Sequence, residues 1–272
     1  MTAPRVSVII PTLNGAATLP ALLAALALAG ERYPLEIVAI DSGSRDGSTD
    51  LLRAAGATVL DLGGRPFGHA SARNRAAAAA RGDVLLYLTQ DVEPIGRDWL
   101  DRLLAALEAP EVAGAFGRQI PRGASPEEAF MVGANYGPEP RTITPEALRT
   151  PFGPGATWFS HAFGVAKRAV WEVLPIPDIV MSEDQAWARD VLRAGQSIRY
   201  VPEAAVYHGH RLSLGRAFRR NFDSGSSLEQ LGLTGGVWSA GLGHLARELQ
   251  WIAAEPGALA VSHALAYETV RM

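Results

Sequence analysis

Short β-branched runs alternate with Ala- and Leu-rich segments of helical spacing through about the first 120 residues, and this alternation constrains the fold more than any other feature. The runs cover residues 6–10, 36–40, 58–60 and 84–88. Helical spacing covers 18–29, 48–55, 70–81 and 99–109. Strand, helix, strand repeated in this way predicts a Rossmann-like α/β open parallel sheet with helices on both faces. Asp46-Gly47-Ser48-Thr49 marks a helix start by its capping residues.

The chain then changes character. Residues 120–160 are rich in Gly and Pro, as in Pro121-Arg122-Gly123 and Gly153-Pro154-Gly155, and read as an irregular segment over a site. A strand over 160–165, a helix over 183–194 and strand-like 197–201 and 205–207 follow, and from Ser213 the pattern is mostly helical. Hydrophobic residues are 48% of the 272 and charged residues 19%, enough for a sizeable core and against wholesale disorder. The net charge of −3 argues against a nucleic-acid partner. With no cysteine, disulfides and thiolate metal sites are excluded, so any metal must be held by oxygen and imidazole. No signal peptide is visible and no apolar stretch reaches the roughly 18 residues of a spanning helix. A cytoplasmic protein is expected, with attachment at the inner face of the membrane left open.

Open parallel sheets bind ligands at the carboxyl ends of their strands. There stand Pro11-Thr12-Leu13-Asn14-Gly15 after the first strand, Asp41-Ser42-Gly43-Ser44 after the second and Thr89-Gln90-Asp91 after the fourth. Asp41 can accept hydrogen bonds from a base or ribose, or cap the next helix. Asp91 can share Mg²⁺ or Mn²⁺ with a diphosphate, or act as a turn residue. Neither G-x-G-x-x-G nor G-x-x-x-x-G-K-[ST] occurs, so phosphate binding must rest on a divalent metal with one or two arginines. His208 and His210 follow a strand-like run; at i, i+2 they point to opposite sides, so at most one faces a given metal. Arg211, Arg216, Arg219 and Arg220, interleaved with Leu and Phe, read either as an amphipathic helix reaching a diphosphate or an anionic lipid-linked acceptor, or as a solvated helix face. Trp187 lies three residues after Asp184, on the same helical face, and is the leading aromatic for an acceptor sugar, although aromatics in so apolar a chain are more often core.

VSVIIPTLNG, IVAIDSGSRDGSTD and ASARNRAAAAARGDVLLYLTQDVEP, in that order, resemble the donor half of a family 2 glycosyltransferase of GT-A fold. SEDQAWARDVLRAG and YVPEAAVYHGH resemble its acceptor half, and LTQDVEP with VYHGHRLSLGRAFRRNFDSG is most similar to the rhamnosyltransferase-like branch. The resemblance implies a domain over residues 1–210, divided into a nucleotide-sugar-binding half (1–118) and an acceptor half (119–210), followed by a helical extension over 211–272. It implies a donor pocket of Pro11, Thr12, Leu13, Asn14, Asp41, Ser42 and Gln90, with Arg73 and Asn74 bracing it or touching phosphate. Asp91 stands at the metal position of the family's D-x-D motif, where Thr89 replaces the first aspartate. His208 is the favoured metal partner, with His210 second. Asp184 corresponds to the family's base, and Glu183 would orient it or the acceptor. Arg219 and Trp187 are the remaining substrate candidates. The implied reaction is inverting transfer, with rhamnose a candidate sugar, from a nucleoside-diphosphate donor to a saccharide, lipid-linked or small-molecule acceptor. Three alternatives stand beside it: a non-catalytic nucleotide- or glycan-binding member, a sugar-phosphate nucleotidyltransferase, and a retaining transferase on the same fold.

Overall fold

A computed structural model describes residues 5–122, 126–149, 158–209, 214–230, 232 and 250. The first elements are β1 (Val6–Thr12), α1 (Leu19–Gly30), β2 (Leu35–Asp41), α2 (Ser48–Ala54), β3 (Thr58–Asp61), α3 (His69–Ala79) and β4 (Val84–Leu88), close to the expected alternation. They are followed by β5 (Glu93–Pro94), α4 (Trp99–Ala106), β6 (Val112–Ile120), α5 (Pro126–Asn135), β7 (Arg141–Ile143) and a 3₁₀ turn over Pro145–Arg149. The remainder comprises β8 (Phe163–Lys167), α6 (Arg168–Val173), α7 (Glu183–Arg193), β9 (Ser197–Tyr207) and α8 (Leu214–Gln230).

One mixed, nine-stranded sheet runs in the order β3-β2-β1-β4-β8-β6-β9-β5, with β7 also on β9. β1, β2, β3 and β4 are parallel. β8 is antiparallel to both β4 and β6, and β9 is parallel to β6. The carboxyl ends of β1, β2, β4, β6 and β9 therefore share one edge. Alternate residues of β1 enter opposite layers. Val6, Val8 and Ile10 pack with Leu22 and Leu26 of α1 and with Leu100 and Leu103 of α4. Ile9 packs on the other face with Ala72 and Ala76 of α3 and with Val191 of α7. Helices thus cover both faces, which explains the nearly continuous apolar run of β4.

Several expectations change. β6 fills a stretch between the helix expected over 99–109 and residue 120 for which the sequence predicts no element, and α5, β7 and the 3₁₀ turn structure much of 120–160. The strand expected from residue 160 starts at Phe163, because Ser160 Oγ accepts the Ala162 N–H at 3.2 Å in a preceding turn. The two short strands around 197–207 are one, interrupted where Gly117 pairs with Val201 but Arg118 pairs with Ala205; Pro202, which has no N–H, lies in the skipped stretch. The sheet also crosses the boundary expected at 118/119, inside β6. No helix among the described residues is long and apolar enough to cross a membrane.

Candidate functional site

A cavity of about 250 Å³ opens at the carboxyl edge of the sheet, lined by Pro11, Thr12 and Leu13 after β1, Ser42 after β2, Arg73 and His69 of α3, Phe67, and Thr89, Gln90 and Asp91 after β4. Most residues expected at a nucleotide pocket meet there. A slightly larger hollow of about 300 Å³ lies along α4 and β9. Its charged lining mixes Arg102 and Arg199 with Glu203, and Arg102 is already held by Asp98 at 2.6 Å, so it offers no converging chemistry.

The walls of the cavity are built by side chains gripping loop backbone. Gln90 Oε1 accepts the Leu13 N–H at 2.9 Å, and Gln90 Nε2 donates to Leu13 O at 2.9 Å. Gly15 makes this clip possible, since a Cβ there would lie 2.5 Å from Gln90 Oε1. Asn14, at φ 48°, accepts the Arg45 N–H at 2.9 Å and so joins the first two loops instead of lining the cavity. Asp46 Oδ1 accepts the N–H of Ser48 at 3.1 Å, so the start of α2 is capped from one residue before the Gly47 N-cap. Asp41 departs from its expected place. It is 7% exposed, and its Oδ2 accepts the N–H groups of Gly43 and Ser44, each at 2.9 Å, while Ser44 Oγ donates to Oδ1. Its carboxylate holds the turn that presents Ser42 and does not cap α2, whose N-cap is Gly47.

Asp91 and His208 face each other with Oδ1 3.6 Å from Nε2. β6 and β9 bring this about: the His208 N–H donates to Ile120 O at 3.0 Å, and His208 Nδ1 lies 2.7 Å from Gln119 Oε1. The amide oxygen can only accept, so with the amide in this orientation Nδ1 carries a proton. An imidazole oriented through its other nitrogen beside a carboxylate oxygen is a donor set that fits a hard divalent cation. Among the described residues no group of three or more such side chains gathers, so other ligands would come from substrate oxygens or water. His210 lies outside the described residues.

The other charged centre spans α3 and α7. Arg73, 3% exposed on the Ala-rich buried face of α3, donates from Nη1 to Glu183 Oε1 at 2.8 Å. Because Arg73 also lines the cavity, the acids at the start of α7 are tied to its wall. Burial first, and then the charge of Glu183, push the Asp184 carboxyl up to about 7; the Gln185 N–H donating at 2.8 Å and the Arg73 charge pull the other way. Ser182, the N-cap residue of α7, makes no capping bond through its hydroxyl; it adopts a left-handed backbone, φ 62°, and its carbonyl accepts the Ala186 N–H at 3.1 Å. Asn74 braces: its Oδ1 accepts from Trp171 Nε1 at 2.8 Å and from the Ile176 N–H at 3.1 Å. His69 is lowered from its ordinary value by burial and then by Arg73, and His161, wholly buried against Tyr87 and Phe159, well below it for the same reasons.

Trp187 is the clearest departure among the substrate candidates. It is 1% exposed, donates to Leu174 O at 2.9 Å and packs on Phe159, so it leaves no face for a sugar. Arg219 is exposed on α8, as is Arg216, while Arg211 lies outside the described residues. Gln119, Tyr136, Ser160, Phe67 and His69 were not foreseen. The first three meet only through the unforeseen β6 and the 120–160 segment, and single residues of their types carry no spacing signal.

Residues 7–174 match the family model described as glycosyl transferase family 2. The O-antigen chain rhamnosyltransferase RfbN of Salmonella typhimurium is 29% identical over 226 residues, which cover 81% of this chain and 71% of that protein. Among solved structures, the mannosyltransferase PcManGT from Pyrobaculum calidifontis, in complex with GDP-Man and Mn²⁺, superposes with TM-score 0.65 at 21% identity over 100% of this chain and 84% of that one. Glucosyl-3-phosphoglycerate synthase from Mycobacterium tuberculosis, in complex with Mn²⁺, UDP-glucose and phosphoglyceric acid, gives 0.57 at 20% identity over 86% and 81%.

Proposed function

This chain belongs to glycosyl transferase family 2 and has a GT-A fold, and from that premise we propose that it transfers a sugar, rhamnose being the first candidate, from a nucleoside diphosphate to an acceptor hydroxyl with inversion. The observation that carries the reading is the cavity at the sheet's carboxyl edge, which gathers Asp91 and Arg73 and is tied through Arg73 and Glu183 to Asp184. The nucleotide would lie along Pro11–Leu13 and Ser42, with its diphosphate toward Asp91 and Arg73. The acceptor hydroxyl would approach Asp184. Its carboxylate takes the hydroxyl proton as the acceptor oxygen attacks the anomeric carbon, and the bond to the diphosphate breaks on the opposite face. Glu183, held by Arg73, keeps Asp184 oriented and adds negative charge beside it. The 1–118 half would carry the donor, the 119–210 half the acceptor, and the 211–272 extension, with Arg219, would help choose a saccharide or lipid-linked acceptor at the cytoplasmic face of the membrane.

Asp91 and His208 would hold Mg²⁺ or Mn²⁺, a reading that the Mn²⁺ complexes of both solved neighbours support, while RfbN's named activity supports rhamnose as the sugar. Such a cation supplies charge neutralisation for the departing diphosphate. The test incubates the protein with UDP-, GDP- and dTDP-sugars and a saccharide acceptor. Release of nucleoside diphosphate, with product of inverted anomeric configuration by NMR, is expected, and Asp184→Asn should lower transfer by roughly 10²–10⁴-fold while leaving donor binding near wild type. Release of pyrophosphate would point to nucleotidyl transfer, and donor binding without any turnover to a non-catalytic member.

A further inference from the structure

We propose that Gln119 is a positioning residue of this site: its side-chain amide holds the His208 ring proton on Nδ1, so that Nε2 faces Asp91 as a lone pair, and ties that orientation to Tyr136 and Ser160. The proposal rests on the reading of Asp91 and His208 as the donor-side pair. The geometry supporting it is local. Gln119 is 6% exposed near the end of β6 and has a partner for each end of its amide. Nε2 donates to Tyr136 Oη at 2.6 Å and to Ser160 Oγ at 2.9 Å, and Oε1 lies 2.7 Å from His208 Nδ1. These partners arrive from the end of α5, from the turn before β8 and from the end of β9, so one amide pins separate parts of the edge. Tyr136 cannot drift from its donor, because its ring packs on Phe116, Trp158 and Tyr200. It also reaches toward the acceptor side, where the charge of Asp184 is one cause, after burial, of the raised Tyr136 hydroxyl. The backbone sets the meeting: past the interruption in register, Gln119 pairs with Val206, and the His208 N–H closes on Ile120 O.

The consequence is chemical. A histidine ring free in water prefers its proton on Nε2. With that tautomer here, Nε2–H would point at the Asp91 carboxylate, 3.6 Å away, and a small approach would close the pair on itself. With the proton held on Nδ1, two electron-pair donors face one another, a pair suited to a cation. The opposite amide orientation, with its NH₂ group on Nδ1, would select the closed form, so the two arrangements predict opposite spectra.

Long-range ¹H–¹⁵N correlation on uniformly ¹⁵N-labelled protein, with His208→Gln to assign the signal, reads the tautomer without metal or nucleotide. The expected result is Nδ1–H in the wild type and in Gln119→Glu, whose carboxylate still accepts from Nδ1, and Nε2–H in Gln119→Leu. Mn²⁺ alone, followed by electron paramagnetic resonance, should bind roughly 10–100-fold more weakly to Gln119→Leu than to the wild type. A wild-type ring protonated on Nε2, or a Gln119→Leu protein with unchanged tautomer and Mn²⁺ affinity, overturns the inference. Should Gln119→Leu not fold, the wild-type and Gln119→Glu spectra decide it alone. An Nδ1–H ring in a wild-type protein that binds no Mn²⁺ supports the positioning role and counts instead against the metal in the proposed function.

Discussion

Asp184 is the residue whose environment most directly predicts a measurable behaviour. Its carboxyl is pushed up to about 7 from an ordinary 3.8, chiefly by burial and then by Glu183. A carboxyl raised by folding binds its proton more tightly in the native than in the unfolded state, so its ionisation opposes folding. The penalty is absent below pH 3.8, grows as pH rises toward about 7 and is constant above. It amounts to at most about 4 kcal/mol at full ionisation, less for whatever solvent still screens the carboxylate. Asp184→Asn removes it. The expected outcome is a variant nearly inactive in transfer yet more stable than the wild type at pH 8, with the advantage shrinking toward pH 4 in urea titrations. A pH-independent difference would mean that the carboxyl is not perturbed. Glu183→Gln removes the neighbouring negative charge and leaves Arg73 unanswered, and both effects favour ionised Asp184. The acid limb of the kcat–pH profile should therefore move to lower pH, whereas a merely structural Glu183 would change amplitude without moving the limb. At this scale the sequence places Asp91 after β4, where it lines the cavity, and Glu183-Asp184 at the start of α7, as the fold does, while their roles rest on the proposal. It is read poorly for Asp41 and Trp187. Nothing local distinguishes a carboxylate that accepts from a base from one that accepts from its own turn, or an indole facing a cleft from one in the core.

β6 shows why whole elements can escape the same reading. VAGAFGRQI has β-branched residues only at its ends, and all but Phe116 of its middle stretch, residues 113–117, is Ala and Gly, which carry little strand preference. Those small residues are there for what presses on them. A Cβ on Gly114 would lie 2.9 Å from Trp187 Cη2 and 2.9 Å from Val165 O. On Gly117 it would lie 2.2 Å from Phe163 Cε1 and 2.5 Å from Ala204 O. Tertiary contact thus overrides propensity, and only the folded neighbours reveal it. By contrast, β1, β2 and β4 are legible because the β-branched residues that fill their layers also carry strand preference. Gly117→Ala should cost about 1–3 kcal/mol of unfolding free energy, since backbone as well as a ring must yield. Because Gln119 follows two residues later, the same substitution should also perturb the His208 ring resonances. Chemical denaturation together with the histidine region of the NMR spectrum checks both. A stable variant with unaltered His208 signals would show that β6 has slack at this position.

Across the whole molecule, the donor and acceptor halves that the sequence suggests share a single structural frame. The motifs that carry the resemblance divide neatly near residue 118, but the sheet does not. β4 is flanked by β1 on one side and by β8 on the other, and β5 pairs with β9. The core layer holding Val6, Val8 and Ile10 also holds Val165, Ala204 and Val206. Sequence order hides this, because β8 enters the middle of the sheet from about 75 residues downstream of β4, a long-range pairing that local periodicity cannot signal. A fragment of residues 1–118 would retain every cavity-lining residue from Pro11 to Asp91 while exposing the apolar β4 edge and leaving buried Arg73 without Glu183. Losing one member of a buried ion pair is itself costly, at about 3–5 kcal/mol, and an exposed hydrophobic edge invites association. The fragment is therefore expected not to fold cooperatively and to show no thermal shift with nucleoside diphosphates and Mn²⁺, under conditions where the full chain does, since ligand stabilises only a native state that exists. A fragment that melts cooperatively and binds nucleotide would make 1–118 an autonomous donor domain, with β8, β9 and Glu183 added to a site already complete.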